Sequence, residues 1–348
     1  MVSYILRRLL IIPVVLFIVT AILFLLLLQL PAERRAEVYL PSVNPRITAE
    51  EYENLVQVTI ERYGLNEPFY IQYSNWILNL LKGDWGYSPS WRQPVLEGLL
   101  HRLPASIELG IFALVPSVLL ALILGGVAAI RQNHLSDYMV RLSAFVGWAI
   151  PNFILGLIFM AIFYAWLDWF PPERLSYASN AIVNSENFRT FTGFLTIDGI
   201  LNNTPDISWD AIRHLMLPGM TLAVFQWAMF VRIMRSSLLE EITQDYVTTA
   251  RAKGLSENII LQNHIFKNAM LPVIASAGVT TAMLFGNVIV VEVLFNFNGV
   301  GRWAIDAIKN FDAPAAIGFI LLSSVVSLFA SLGTDILFAV VDPRVSIE

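Results

Sequence analysis

The sequence has no cysteine among its 348 residues, which excludes a disulfide framework and a thiolate metal site. Charge is scarce too. Asp, Glu, Lys and Arg make up 14% of the chain, against roughly 25% in a soluble globular domain. With 22 Lys and Arg against 27 Asp and Glu, the net charge of −5 offers no basic face to a nucleic acid, and no nucleic-acid partner is expected. Only four histidines occur, His101, His134, His214 and His264, scattered without the paired spacing of a metal site. No G-x-x-x-x-G-K-[ST] loop is present to cradle phosphates, and no G-x-S-x-G elbow to present a nucleophilic serine.

What the chain has in abundance is apolar length. Hydrophobic residues make up 56% of it. A membrane-spanning helix needs about 20 predominantly apolar residues. Six runs approach that length: Leu9–Leu30, Leu109–Ile130, Leu142–Leu167, Leu215–Val231, Asn268–Val291 and Ala313–Thr334, the last with room to continue past Asp335 to Val341. The first is too long for a cleavable signal core and no small-residue cleavage site follows it, so a retained anchor is expected. These runs predict an all-α polytopic membrane protein with six transmembrane helices and both termini on one side. Placing the termini inside puts Arg7, Arg8, Arg131, Arg141, Arg232, Arg235, Arg251, Lys253, Lys267 and Arg344 in short cytoplasmic segments. That density of cations favours cytoplasmic termini, with Arg34 and Arg35 opposing it locally.

The connections are uneven. Residues 31–104 separate the first two spans and predict an extracytoplasmic helical insertion between an N-terminal helix (1–30) and a five-span core (105–348). Thr48 with Glu51 reads as a capping box ahead of Tyr52, Leu55, Val56, Thr59 and Tyr63 at helical spacing. Pro68 opens a second helix with Phe69, Tyr73, Trp76, Ile77 and Leu80 on one face, and Gly83 ends it. Val95–Leu103 carries an apolar stripe beside Arg92, Glu97 and Arg102, the pattern of a helix lying at the membrane surface. Residues 168–214, rich in Asn, Ser and Thr, read as a solvated outside loop.

Within the spans, chemistry is sparse. Glu108, Glu292 and Asp335 fall at span ends, where a charge is expected to reach water cheaply. An intramembrane enzyme would need a polar constellation, and a proton-coupled secondary transporter would need ionisable groups near the midplane. Gln226, Trp227, Thr280, Thr281 and Asn287 are the candidates for lining a translocation pathway, with helix–helix packing as the alternative.

The most informative stretch is Asp245-Tyr-Val-Thr-Thr-Ala-Arg-Ala-Lys-Gly-Leu-Ser256. Asp245 suits an N-cap, Tyr246–Lys253 two turns of helix, and Gly254 a left-handed terminator with Leu255 behind it. Ser256 then suits the cap of a second helix. Ala250 and Gly254, four residues apart, would give one face without bulk, fit for close approach by another protein.

This segment resembles the EAA loop of ABC-importer permeases, with Thr248, Thr249, Ala250 and Gly254 at the E-A-A-x-x-x-G positions. The wording Thr249-Ala-Arg-Ala-Lys-Gly-Leu255, closed by Leu271–Pro272, is similar to the dipeptide, oligopeptide and nickel class. The opening Arg7-Arg8-Leu-Leu-Ile-Ile-Pro13, Tyr63-Gly-Leu-Asn-Glu-Pro68, Gly83-Asp-Trp-Gly86 and Ile150-Pro-Asn-Phe153 resemble that class as well. So do Val291-Glu-Val-Leu-Phe295 with Gly299-Val-Gly301, and Asp342-Pro-Arg344. The resemblance implies a type I importer core in the bacterial inner membrane, forming the pathway for di- and oligopeptides, with oligosaccharides or nickel as alternatives. It implies coupling through the cytoplasmic segment 245–272, with Asp245, Tyr246, Thr248, Thr249, Ala250, Arg251, Ala252, Lys253, Gly254 and Leu255 at the joint. The implied partners are a homologous second permease, two ATPase subunits and an extracytoplasmic solute-binding protein. No catalytic residue and no cofactor is expected on this chain, ATP and Mg being held by the ATPases.

Overall fold

The computed structural model describes residues 2–36, 39–40 and 47–341, without the side chains of 2–8, 284–285 and 337–341. The Asp342-Pro-Arg344 motif therefore lies outside the described residues. Among the described residues the chain is mostly helical, and four helices are long and apolar enough to cross a membrane, or up to six spans if each of two bent helix pairs is one span.

α1 (Val2–Leu27) is the N-terminal span, and Pro13 sits inside it. Its C-terminal end is held by Leu23, Phe24 and Leu27, which pack on Trp76 of the insertion and Leu321 of the last span. The insertion follows as α2 (Ala32–Ala36), α3 (Ala49–Tyr63), α4 (Phe69–Leu81) and a short antiparallel hairpin, β1 (Tyr87–Ser88) with β2 (Gln93–Pro94). Local chemistry dictates its helix ends. The Thr48 hydroxyl accepts from Glu51 N at 3.3 Å while Glu51 Oε2 accepts from Thr48 N at 2.9 Å, so the capping box is complete. α4 follows Pro68, and Gly83 turns the chain just after it.

α5 (Val95–Ile130) runs without interruption through Pro104 and Pro116. The apolar stripe at Val95–Leu103 is thus the first part of a long helix and not a separate short one, and that helix continues across residue 104. Val95 and Leu99 are fully buried, and Arg102 is buried beside the rings of Trp91 and Trp303. α6 (Leu135–Ala149) and α7 (Asn152–Phe159), the latter extended by a π-helical turn over Met160–Trp166, meet at Pro151 with a bend of 105°. The third apolar run is therefore broken where proline removes an N–H and excludes the preceding residue from helix.

Residues 168–204 are not a bare solvated loop. They hold α8 (Tyr177–Val183) and α9 (Leu195–Leu201), built around Leu175, Phe188, Leu195, Ile207 and Ala211. α10 (Pro205–Glu241) is far longer than the apolar run Leu215–Val231 that marks its middle. α5 and α10 pack along each other as the centre of the molecule. Beyond α10 come α11 (Asp245–Ala252), α12 (Glu257–Ile260), a π-helical turn at Leu261–Ile265, α13 (Phe266–Ala269), α14 (Leu271–Ala282), α15 (Leu284–Leu294), α16 (Val300–Lys309) and α17 (Ala313–Val341).

Candidate coupling segment and membrane pathway

α10 leaves the core at Glu241, and three residues later the chain turns into α11. Gln244, in extended backbone, occupies the N-cap position without a side-chain bond; Asp245 is the first helical residue. Asp245 therefore favours the helix through its charge in the first turn and not as a cap. The other end follows the sequence closely. Gly254 adopts φ +79°, Gly254 N donates to Arg251 O at 2.9 Å, and Leu255 N donates to Ala250 O at 3.3 Å. This paired closure is the Schellman arrangement. Ser256 then stands at the N-cap of α12 in extended backbone, without a side-chain bond.

The segment has two unlike faces. Val247 and Ala250 point inward and join a cluster with Met234, Leu238, Ile260, Ile265 and Ala269. Ala250 is only 8% exposed, so its small size serves packing within this chain and not an outer docking face. The outward face is Asp245, Thr248, Thr249, Arg251, Ala252, Lys253, Gly254 and Leu255, all exposed. Arg251 grips Glu257 across the elbow with bonds of 2.7 and 3.2 Å. The Tyr246 hydroxyl donates to Glu241 Oε2 at 2.5 Å and accepts from Asn268 Nδ2 at 3.3 Å. Burial, and then the Glu241 carboxylate, push its phenol above the ordinary value, so it stays a neutral donor at physiological pH. One side chain thereby ties α11 both to the end of α10 and to α13. The result is a short helix clamped to two core elements, with a polar outer face.

The pathway candidates are not brought together in this way. Gln226 is buried, and its Oε1 accepts from the Ser117 hydroxyl at 3.3 Å, a bond between α10 and α5. The Thr280 and Thr281 hydroxyls donate to Ser276 O and Ala277 O of their own helix, each at 2.8 Å. Trp227 is half-buried, with Nε1 out of solvent and without an acceptor among the described residues, and Asn287 is half-buried on α15. Among the described residues no hydrogen bond joins these five to one another.

The acidic residues also differ from expectation. Glu108 and Glu292 do not reach water; they are 6% and 0% exposed. Glu108 pairs with Arg174 at 3.1 Å and accepts from Thr196 N and Oγ1 at 2.9 and 2.7 Å, pinning the 168–204 segment to α5. Glu292 accepts from Ser106 Oγ at 2.5 Å and from Gly301 N and Arg302 N at 2.8 and 3.1 Å. It thereby caps the N-terminus of α16 from a neighbouring helix. A Cβ on Gly299 would lie 2.0 Å from the Glu292 carboxylate, so only glycine admits this approach. The Glu292…Gly299-Val-Gly301 spacing was the one sequence signal for this joint.

Residues 117–347 match the family model described as binding-protein-dependent transport system inner membrane component, and residues 1–110 match the model of its N-terminal region. A dipeptide transport system permease protein of Alkalihalophilus pseudofirmus is 32% identical over 345 residues, 99% of each chain. An oligopeptide transport system permease protein of Bacillus subtilis and a di/tripeptide transport system permease protein of Pseudomonas aeruginosa are each 33% identical, again over 99% of both chains.

Proposed function

The chain belongs to the family of binding-protein-dependent transport system inner membrane components, and from that membership we propose that it carries di- and oligopeptides inward as one permease of an ATP-driven importer. The observation that carries the mechanism is the two-faced segment 245–255: gripped from within, polar and open without. ATP is bound with Mg and hydrolysed on two separate ATPase subunits, which seat against Thr248, Thr249, Ala252 and Leu255. Because Tyr246, Val247 and Ala250 fix α11 to α10 and α13, a push on the outer face is not absorbed by the segment. It travels as a rigid-body displacement into α10, and through the α5–α10 seam into the spans. Alternating access then follows as a shift between inward-open and outward-open arrangements.

A homologous second permease completes the pathway, and an extracytoplasmic solute-binding protein delivers the cargo. In this orientation both termini and α11 face the cytoplasm, while the insertion and residues 168–204 face outward. Of the pathway candidates, Gln226, Trp227 and Asn287 keep a polar group without a partner among the described residues, and a movement of α10 and α15 would be needed to turn Gln226 and Trp227 toward cargo. Thr280 and Thr281 have spent theirs on their own helix.

The test is uptake by vesicles holding the full assembly with its binding protein. ATP-dependent entry of a labelled peptide mixture is expected. Entry of a labelled oligosaccharide or of radioactive nickel in place of peptides would overturn the cargo assignment. The absence of any ATP-dependent uptake would overturn the importer itself.

A further inference from the structure

On the α11 side of the molecule, between α6 and α10, lies a cavity of about 500 Å³. Its wall is apolar, with Leu142, Phe145, Trp148 and Val231, and its charged lining is entirely cationic: Arg141, Arg232 and Arg235. Arg235 is already spent. It holds the fully buried Asp137 with bonds of 2.6 and 2.8 Å, and that carboxylate takes a third bond from Asn133 N at 3.0 Å. Arg141 and Arg232 are different. Both are exposed, and among the described residues neither forms an ion pair or hydrogen bond with a carboxylate. Aromatic faces hold them instead. The Arg232 guanidinium carbon lies 5.1 Å from the centroid of Trp148, whose ring stacks on Phe225 at 4.8 Å. That of Arg141 lies 5.8 Å from the centroid of Tyr138.

Two cations without a direct carboxylate partner among the described residues therefore sit at the edge of an apolar groove, Arg141 only within electrostatic reach of the Asp137 that Arg235 already holds. Beside it, α6 shows a continuous apolar strip along its length, with Leu135, Met139, Leu142 and Phe145 each more than half exposed. A soluble anion would use the cations and waste the wall. A hydrocarbon chain alone would use the wall and leave the cations unanswered. An amphiphile with a negative head uses both, and basic pockets between spanning helices are suited to it.

We propose that the α6–α10 groove is a binding site for an anionic phospholipid, its phosphodiester on Arg141 and Arg232 and its acyl chains along the exposed strip of α6. Net negative charge on the head selects it over a zwitterionic lipid. The bound lipid bridges α6 to α10, the helix that leads directly into α11. The site is independent of the cargo reading: its failure would leave peptide import standing, and the reverse also holds.

The experiment uses the assembled complex in mild detergent. Phosphatidylglycerol, phosphatidylethanolamine and free glycerol phosphate are titrated in turn, with lipid retention read by native mass spectrometry. Wild type should retain phosphatidylglycerol about fivefold or more above phosphatidylethanolamine, which lacks the net negative charge. With each surface cation worth about fivefold, Arg141→Gln and Arg232→Gln should each weaken retention by about that factor, and together about twenty-five-fold. The pair Arg141→Lys with Arg232→Lys should recover most of it, and the single variants keep the test open if the double Gln variant does not assemble. Equal retention of the two lipids, or no effect of the Gln variants, would overturn the proposal. Glycerol phosphate binding as tightly as the lipid would also overturn it, by showing a simple anion site. Absence of any retained lipid in the assembled wild type would overturn it as well.

Discussion

Substitution of Glu292 tests whether the C-terminal part of the core depends on one buried carboxylate. Glu292→Ala removes the acceptor from the Ser106 hydroxyl and from the Gly301 and Arg302 amides, at a residue with no solvent exposure. Each buried donor left unsatisfied costs about 1–3 kcal/mol. With three such donors and partial relaxation, the expected loss is about 3–5 kcal/mol. Glu292→Gln is a sharper control. Its oxygen can still serve both amides, and its NH2 group meets Ser106 Oγ, a hydroxyl that accepts as well as donates. The cost there should be about 1 kcal/mol. Thermal unfolding of the detergent-solubilised complex, followed by tryptophan fluorescence, reads the difference. At about 2–4 °C per kcal/mol, the Gln variant should melt within about 4 °C of wild type and the Ala variant about 10 °C below it. An Ala variant that melts alongside the Gln variant would refute the capping role.

Gly254 tests the elbow by backbone conformation alone, because a Cβ there meets nothing within 4 Å. Gly254→Ala should cost about 1–2 kcal/mol and leave the elbow formed; Gly254→Val should cost more and lower ATP-driven uptake, and unimpaired uptake with Val would exclude the elbow as the joint. In the insertion, Thr48→Ala should weaken the start of α3 by about 1 kcal/mol, read as faster hydrogen exchange over residues 49–52. The bonds from Thr48 hold the Glu51 carboxyl below its ordinary value. Its contribution is therefore full above the unfolded carboxylate pKa and is lost as pH falls through the lowered folded value, so protection of α3 should fade only in acid.

What the sequence revealed, and what it hid, divides along a physical line. Local signals were legible. Thr48 with Glu51, Pro68, Gly83 and Gly254 act on backbone groups a few residues away, and each marks the boundary or turn expected of it. Long-range pairing was not legible. Glu108 and Glu292 stand near the ends of apolar runs, and nothing adjacent in the chain announces Arg174, Thr196 or Ser106 as partners. Span length was understated for a related reason. The ends of α10 carry Asp210, Arg213 and His214 on one side and Arg232 and Arg235 on the other, so an apolar window closes early, while packing on α5, α6 and α9 extends the helix. The 168–204 segment hid its core because Leu175, Phe188, Leu195 and Ile207 follow no single period. Ala250 was ambiguous in principle: a small residue suits an external joint and a tight internal contact equally, and only the fold distinguishes them.

The most direct measurement is a cross-link from the outer face of α11 to an ATPase subunit, made on a chain with no native cysteine. Thr248→Cys and Thr249→Cys lie on the exposed face, whereas Val247→Cys would be buried against the core. With the assembly in membranes and a short bifunctional thiol reagent, cysteines at 248 and 249 should join this chain to the ATPase, with a yield that changes when ATP is added. Cysteine at 247 should not. An assembled, transporting complex that gives no cross-link at either exposed position, or an equal yield at all three, would contradict coupling through this helix.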